Sequence, residues 1–379
     1  MKEGRKKALL LIVLFGVVSL FSDMVYEGAR SVNGPYLKTI GVSAAIVGLI
    51  TGLGEFLGYA VRLLSGFFSD KSRAYWIFTI VGYAMLAFVP MLSLSGLWQI
   101  VALLMILERV GKGIRSPAKD TLLSQATKQV GTGFGFGLHE AMDQIGAIVG
   151  PLIFTAVLAV SPYGSAADYR RGYAWLWIPF ILCLITIVTA RVFVPHPEEL
   201  EASVVRPEKH SDKLSKLFWI YTVFAFFLVI GFSSFSLLAY HFKSTGLVPD
   251  AQIPLFYAIA MGVDGATALL AGRLYDKVGL AVLFVIPILT IPIPFLGFSS
   301  SYGLAIAGIM LWGVVMGIHE TVVKAAIADL TPLKKRGTGY GVFNTINGLA
   351  ALISGTAIGF LYDRSIPAVI VFCVAVEVV

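Results

Sequence analysis

Six ionisable residues crowd into the stretch Leu107–Asp120, LERVGKGIRSPAKD, directly after an apolar run at Leu97–Leu107. Glu108, Lys112, Arg115 and Lys119 are spaced i, i+4, i+7 and i+11, which puts them on one face of a helix. A charge at the centre of a bilayer-spanning helix costs roughly 2.5–3.5 kcal/mol on the insertion scale. Several on one face are tolerable only where that face looks into water or onto opposite charge. The chemistry open to such a face is ion pairing, either with an acidic or polar solute or with carboxylates that exchange partners as protons come and go. Suitable carboxylates lie in other apolar runs. Asp23, Glu27 and Arg30 share a helical face, and Glu55 and Asp264 are each isolated in mid-run. His139, Glu140 and Asp143 form one further polar group, and His319, Glu320 and Lys324 another, while Asn344 and Asn347 are the polar residues of a late run.

The elements that must position these groups are membrane spans. The chain of 379 residues is 57% hydrophobic and 13% charged, where soluble domains carry about 25% charged. Apolar runs fall at 8–36, 44–68, 75–94, 97–122, 133–160, 173–194, 217–242, 251–274, 280–298, 303–328, 338–361 and 366–379, so an all-α polytopic membrane protein with twelve spans is expected. The start, MKEGRKK before an apolar run, imitates a signal peptide. The run continues past Asp23 without a small-residue cleavage site, so it reads as the first span. The last span has fourteen residues, 366–379, or about 21 Å of helix against a core of roughly 30 Å. Either the chain stops early or this helix ends inside the bilayer. The charged, Pro-containing segment 195–216 reads as a linker between two six-helix bundles, 1–194 and 217–379.

Lys and Arg set the orientation. The N-terminus, Lys71 and Arg73, the linker, Arg273 and Lys277, and the run Lys334, Lys335, Arg336 all fall on one side, so both termini are expected to be cytoplasmic. The excess of +7 is explained by this bias, and no nucleic-acid partner is expected. Cys183 and Cys373 lie in apolar runs and form no disulfide framework or zinc spacing. His139 and Asp143, at i and i+4, could ligate a divalent ion. Two ligands beside a basic fourth span are a poor cation store, and neither a metal nor a cofactor is expected. No nucleophile elbow or phosphate loop occurs, so the chain is not expected to be an enzyme, and uphill transport would draw on an ion gradient.

The two halves repeat. Gly66-x3-Asp70-Lys71 recurs as Gly272-x3-Asp276-Lys277, and Gly131-Thr-Gly-Phe-Gly as Gly337-Thr-Gly-Tyr-Gly, both 206 residues later. Spans three, six and nine have no ionisable residue in their cores, and span twelve only Glu377. Every third helix is therefore expected to face lipid while the others enclose a polar interior. Gly66 and Gly272 permit close helix approach, and the acids beside them can meet a neighbouring helix N-terminus. Contacts of that kind, made in one conformation only, would make Gly66, Asp70, Lys71, Gly272, Asp276 and Lys277 a conformational latch. Gly146-x3-Gly150-Pro151 permits close packing of span five, expected against a helix of the other half. Pro90, Pro287, Pro292 and Pro294 predict kinks.

These residues resemble the major facilitator superfamily over all twelve spans. Gly66-Phe-Phe-Ser-Asp70-Lys71 and its repeat look like that superfamily's loop signature, with Ser72 where Gly is usual and a lone Arg73 for the basic pair. Arg109-Val-Gly-Lys112-Gly113 looks like its fourth-helix arginine signature, and Gly146-x3-Gly150-Pro151 like the start of the fifth-helix signature of drug–proton antiporters. More narrowly, Asp23-x3-Glu27, Gly111-Lys-Gly-Ile-Arg115, Phe136-Gly-Leu-His139 and Glu320-x8-Asp329-Leu resemble a prokaryotic drug-efflux-like branch. The resemblance implies a monomeric secondary transporter with two pseudo-symmetric bundles and alternating access, most simply a proton-coupled exporter of a small organic solute. Proton coupling would fall to Asp23, Glu27, Glu55 or Glu320. The substrate cavity would draw on Arg30, Arg109, Lys112, Arg115, His139, Glu140, Asp143, His319, Asn344 and Asn347. The basic face also suits an importer of an anionic nutrient, and a non-transporting receptor on the same fold is a third reading.

Overall fold

The computed structural model describes residues 2–127, 129–161, 164–200, 214–331 and 336–378. Among them every regular element is helical. The chain runs through α1 (Lys2–Thr39) and α2 (Ala44–Ser72), then α3 (Tyr75–Ala84), which tightens into two 3-10 turns ending at Leu94. Two long helices follow, α4 (Trp98–Thr127) and α5 (Thr132–Ala159), and then a sixth crossing in two pieces, α6 (Ala166–Trp175) and α7 (Trp177–Phe193). The seventh crossing is α8 (Lys216–Gly231) plus α9 (Phe235–Thr245), and the eighth is α10 (Gln252–Val278). A 3-10 turn, α11 (Val285–Thr290) and α12 (Pro292–Gly297) make the ninth. The last three are α13 (Tyr302–Leu330), α14 (Arg336–Tyr362) and α15 (Ile366–Val378).

By length and hydropathy alone, nine segments of the described residues can cross a membrane. The other three crossings are accounted for individually. α10 to α12 form one apolar stretch, Gln252–Gly297, that crosses twice. α4 carries too many charges to qualify, and α15 is too short. The prolines act as their chemistry requires, since each removes a backbone donor. Pro90 opens a 3-10 turn and Pro292 opens α12, whereas α1 and α4 run on through Pro35 and Pro117. The break between α8 and α9 has no proline. Phe232 is extended there, with φ −85° and ψ 114°. Two carbonyls at the break find side-chain donors: Ser354 Oγ donates to Phe232 O at 3.2 Å, and Trp312 Nε1 donates to Ser233 O at 3.0 Å.

Glycine sets the helix contacts. Gly48 and Gly52 of α2 lie against the backbone of α14 near Gly355 and Ala351, with no space for a Cβ. α5 also packs on α10, where the Gln144 amide donates to the Met261 carbonyl and Gly265 receives the Gln144 side chain, and α1 packs on α9, where Gly34 lies against the Ser236 backbone. Gly146 and Gly150 were expected to serve the interface between halves and do not. They lie on the backbone of α1 at Leu20, Met24 and Gly28, in the same half, with Pro151 following within α5. Gly146 and Gly150 are i+3 and i+7 from Asp143, which faces α1, whereas Gln144 is turned a further 100° toward α10. The apolar crossings expose Ile77, Ile181, Ile185, Ile288, Phe295 and Val371, as lipid-facing helices do.

At the end of the bundle away from the N-terminus, the halves are tied together. The Asp363 carboxylate accepts from the backbone amides of Ala44 at 3.1 Å and Ala45 at 2.9 Å. Tyr240 donates to Val42 O at 3.1 Å. Lys243 donates to Gly164 O at 3.0 Å and to Asp250 at 2.7 Å, and Tyr169 donates to the same Asp250 at 2.9 Å.

Candidate functional site

The charged stretch opens on α4, whose glycines at 111 and 113 let α3 and α2 close on it. Tyr26 of α1 lies at the centre of the charges. Its ring carries Lys112 Nζ at 3.6 Å, Arg109 Cζ at 4.6 Å and Arg30 Cζ at 6.0 Å from the centroid. Cations over an aromatic face are attracted by its quadrupole, by up to about 2 kcal/mol when desolvated. Carboxylates complete the set. Arg109 pairs with Glu55 at 3.1 Å and approaches Glu108 at 3.8 Å, and Arg30 meets Glu27 at 3.7 Å. Three acids thus balance three bases, so the chamber is a paired network. Tyr26, Arg30, Asn33, Glu108, Arg109 and, from the other half, Ser236 line a cavity of about 30 Å³, room for about two waters.

Glu27 has a second partner. The Tyr257 hydroxyl of α10 donates to Glu27 Oε2 at 2.5 Å, across the two halves. One turn earlier on α1, Asp23 accepts from Ser22 Oγ at 3.2 Å, and its carboxyl is within hydrogen-bonding reach of Asp143 on α5. Asp143 also accepts from Ser19 Oγ. Asp23 and Asp143 thus face each other between α1 and α5, where two bare carboxylates repel.

The remaining expected site residues scatter. Arg115, expected in the cavity, is buried against α3, with Nη1 3.5 Å from Gly82 O and its guanidinium 4.8 Å from the Tyr83 ring centre. Gly82 has no Cβ, so α3 reaches the Arg115 backbone and draws the side chain to its own side. Glu55 is the counter-ion of Arg109 and not an isolated acid. His139 is buried on α5, and Glu140 beside it is exposed. On α13 His319 is half-buried and Glu320 exposed, while the Lys324 side chain lies outside the described residues. Asn344 is half-buried and Asn347 buried on α14. Asp70, Lys71, Asp276 and Lys277 are exposed, and Asp70 accepts from Tyr75 in its own half at 3.1 Å. Gly66 and Gly272 meet only ordinary neighbours, Pro117 and Thr321. Sequence reasoning missed Tyr26 and Tyr257. Tyr26 lies directly before Glu27 and could have been read as part of the charged face. Nothing in the sequence singles out Tyr257.

A twelve-crossing helical bundle with repeated halves and a polar interior defines a class, and the family model described as Major Facilitator Superfamily matches residues 12–355. The chain belongs to that superfamily. An uncharacterized protein of Mycobacterium tuberculosis is 39% identical over 371 residues, covering 97% of this chain and 90% of its own length. An uncharacterized MFS-type transporter of Methanocaldococcus jannaschii is 27% identical over 367 residues, covering 93% and 89%. Among solved structures, the nucleoside transporter NupG aligns with a TM-score of 0.73 at 12% identity over 97% of this chain and 96% of its own. A D-xylose-proton symporter aligns at 0.70 and 12% identity over 98% of this chain and 96% of its own. At such identities the likeness carries the fold alone.

Proposed function

We propose that the chain is a proton-coupled secondary transporter that works by alternating access and exports a small organic solute. The observation that supports this is the double engagement of Glu27, by Arg30 on its own helix and by Tyr257 of the other half. Breaking a buried ion pair costs about 3–5 kcal/mol, enough to shift a two-state equilibrium more than a hundredfold. Protonating Glu27 frees Arg30 and weakens the tie to Tyr257. A proton and an acidic or polar solute group then compete for one basic face, and the outcome of that competition favours one or the other orientation of the halves. Asp23, with Asp143, holds the neighbouring proton. In this reading Arg30, Arg109 and Lys112 bind solute, and Asp70 and Asp276 latch the cytoplasmic ends. The bundles 1–194 and 217–379 rock about the segment 195–216. The protein resides as a monomer in the cytoplasmic membrane with both termini inside. The efflux-like motifs favour export.

Import of an anionic nutrient is the competing reading, favoured by the three cations on Tyr26. Proteoliposomes separate the two. Export predicts solute moving against an imposed proton gradient, import predicts accumulation with it, and counterflow insensitive to pH overturns proton coupling.

A further inference from the structure

Glu377 lies in α15 and is not among the residues that line the charged chamber, although the break it sits on leads two residues later to Ser236, which is. Glu377 is 8% exposed, and neither carboxylate oxygen has a hydrogen-bond partner among the described residues. Its side chain lies directly on Gly231, the last residue of α8, with Oε1 2.5 Å from where a Cβ would sit. This is the break in the seventh crossing. The C-terminal carbonyls of α8 carry partial negative charge there. Ser233 Oγ lies beside Cys373 Sγ at 3.7 Å, and Ser234 Oγ has no partner among the described residues.

Among the described residues no counter-charge is at hand. The helices packed on α15 are α8, α14, α12 and α11. Their only ionisable Asp, Glu, Lys, Arg or His residues are Lys216 and Arg336, each at the first position of its helix. Lys216 is fifteen residues from Gly231, about 22 Å along a helix. Cys373 is the one titratable group beside Glu377 on its own helix. A bare carboxylate in such surroundings is far too costly to persist, so it neutralises or takes a cation. A broken helix at mid-membrane, with its freed oxygens, is also how transporters build coupling-ion sites.

We infer that Glu377, with the break at Gly231–Ser234, forms a second cation site that takes one monovalent cation, a proton or a sodium ion. It is separate from the Glu27 chamber. Because it is seated on the break, its occupancy bears on how α9, which contributes to the closed end through Tyr240 and Lys243, is set against α8.

The test uses the purified full chain in nanodiscs and needs no transport readout, so it stands or falls independently of the proposed function. Infrared spectra at neutral pH are compared for wild type and Glu377→Gln, together with melting temperatures in sodium and in choline chloride. The expected result is a protonated-carboxyl stretch that is lost in Glu377→Gln. A sodium-specific rise in melting temperature, lost in the same variant, supports the site with sodium as its ion. Identical spectra together with identical melting behaviour in both salts overturn the inference. If Glu377→Gln does not fold, Glu377→Asp takes its place. It keeps the carboxyl but withdraws it from Gly231, so the stretch or the sodium response must shift, and an unchanged result overturns the site.

Discussion

The Tyr257 hydroxyl of α10 and the Glu27 carboxylate of α1 meet at 2.5 Å although 230 positions and the boundary between the halves separate them. A hydrogen bond to a charged group contributes about 1.5–3 kcal/mol, so this contact biases the arrangement of the halves by roughly ten- to a hundredfold. It does so only while Glu27 is ionised and Tyr257 keeps its hydroxyl. Tyr257→Phe removes the donor and leaves the Glu27–Arg30 pair. Counterflow should persist, while accumulation under a fixed proton gradient should fall at least tenfold. Normal accumulation by the variant would refute the link.

Glu55 and Arg109 form the shortest ion pair of the chamber, at 3.1 Å. Glu55→Gln leaves a buried guanidinium with only Glu108, 3.8 Å away. Losing one partner of a buried pair costs about 3–5 kcal/mol. The Glu55 side chain is 23% exposed, so the lower end applies. The melting temperature should drop clearly in Glu55→Gln and recover in part when Arg109→Gln is added. A double variant no more stable than the single one would show that the pair is not the reason.

Helix count, repeat and charged chamber were readable in the sequence because they rest on counting. Twenty-residue apolar runs give spans, and ionisable residues inside them must find partners. Which partners they find depends on helix rotation, and that is where reading from the sequence fell short. Arg115 shares a helical face with Lys112, yet Gly82 on α3 captures it. Gly146 and Gly150 announce a close contact without saying with which helix, and α1 takes it. Tyr257 looks like any aromatic residue of an apolar span. The break at Phe232 carries no proline, and its stability comes from Trp312 and Ser354, about 80 and 120 residues downstream.

Asp23 and Asp143 test the proton assignment. The two acids face each other, and an amide at either position removes one negative charge and supplies a permanent donor. Asp23→Asn should therefore fold and exchange solute while losing proton-driven accumulation, and Asp143→Asn should behave alike. Arg109→Ala, by contrast, should lose solute binding itself. If Asp23→Asn still accumulates solute against a pH gradient, the coupling lies with Glu27 alone, and Glu27→Gln should then carry the loss.

Asp363 closes the far end by capping α2 of the opposite half through two amides, at 3.1 and 2.9 Å. The arrangement is the mirror image of the role expected for Asp70, an acid at a loop meeting a helix N-terminus across the halves. Asp70 here is exposed and held by Tyr75 within its own half. Among the described residues Asp363 ties the two halves together, whereas the hydrogen bond to Asp70 stays within one half. A capping acid contributes about 0.5–2 kcal/mol, and 1 kcal/mol is a factor of about five in an equilibrium. Val42, at the same end, is 4% exposed and its carbonyl is covered by Tyr240. A Val42→Cys reporter, with the buried Cys183 and Cys373 replaced by serine, should label slowly with an impermeant maleimide added from that side. Adding Asp363→Ala should raise the labelling rate about fivefold, and Asp363→Asn should raise it less, because the amide oxygen still accepts. Equal rates in all three backgrounds would mean that Gly48, Gly52, Gly355 and their neighbours close this end without help from Asp363.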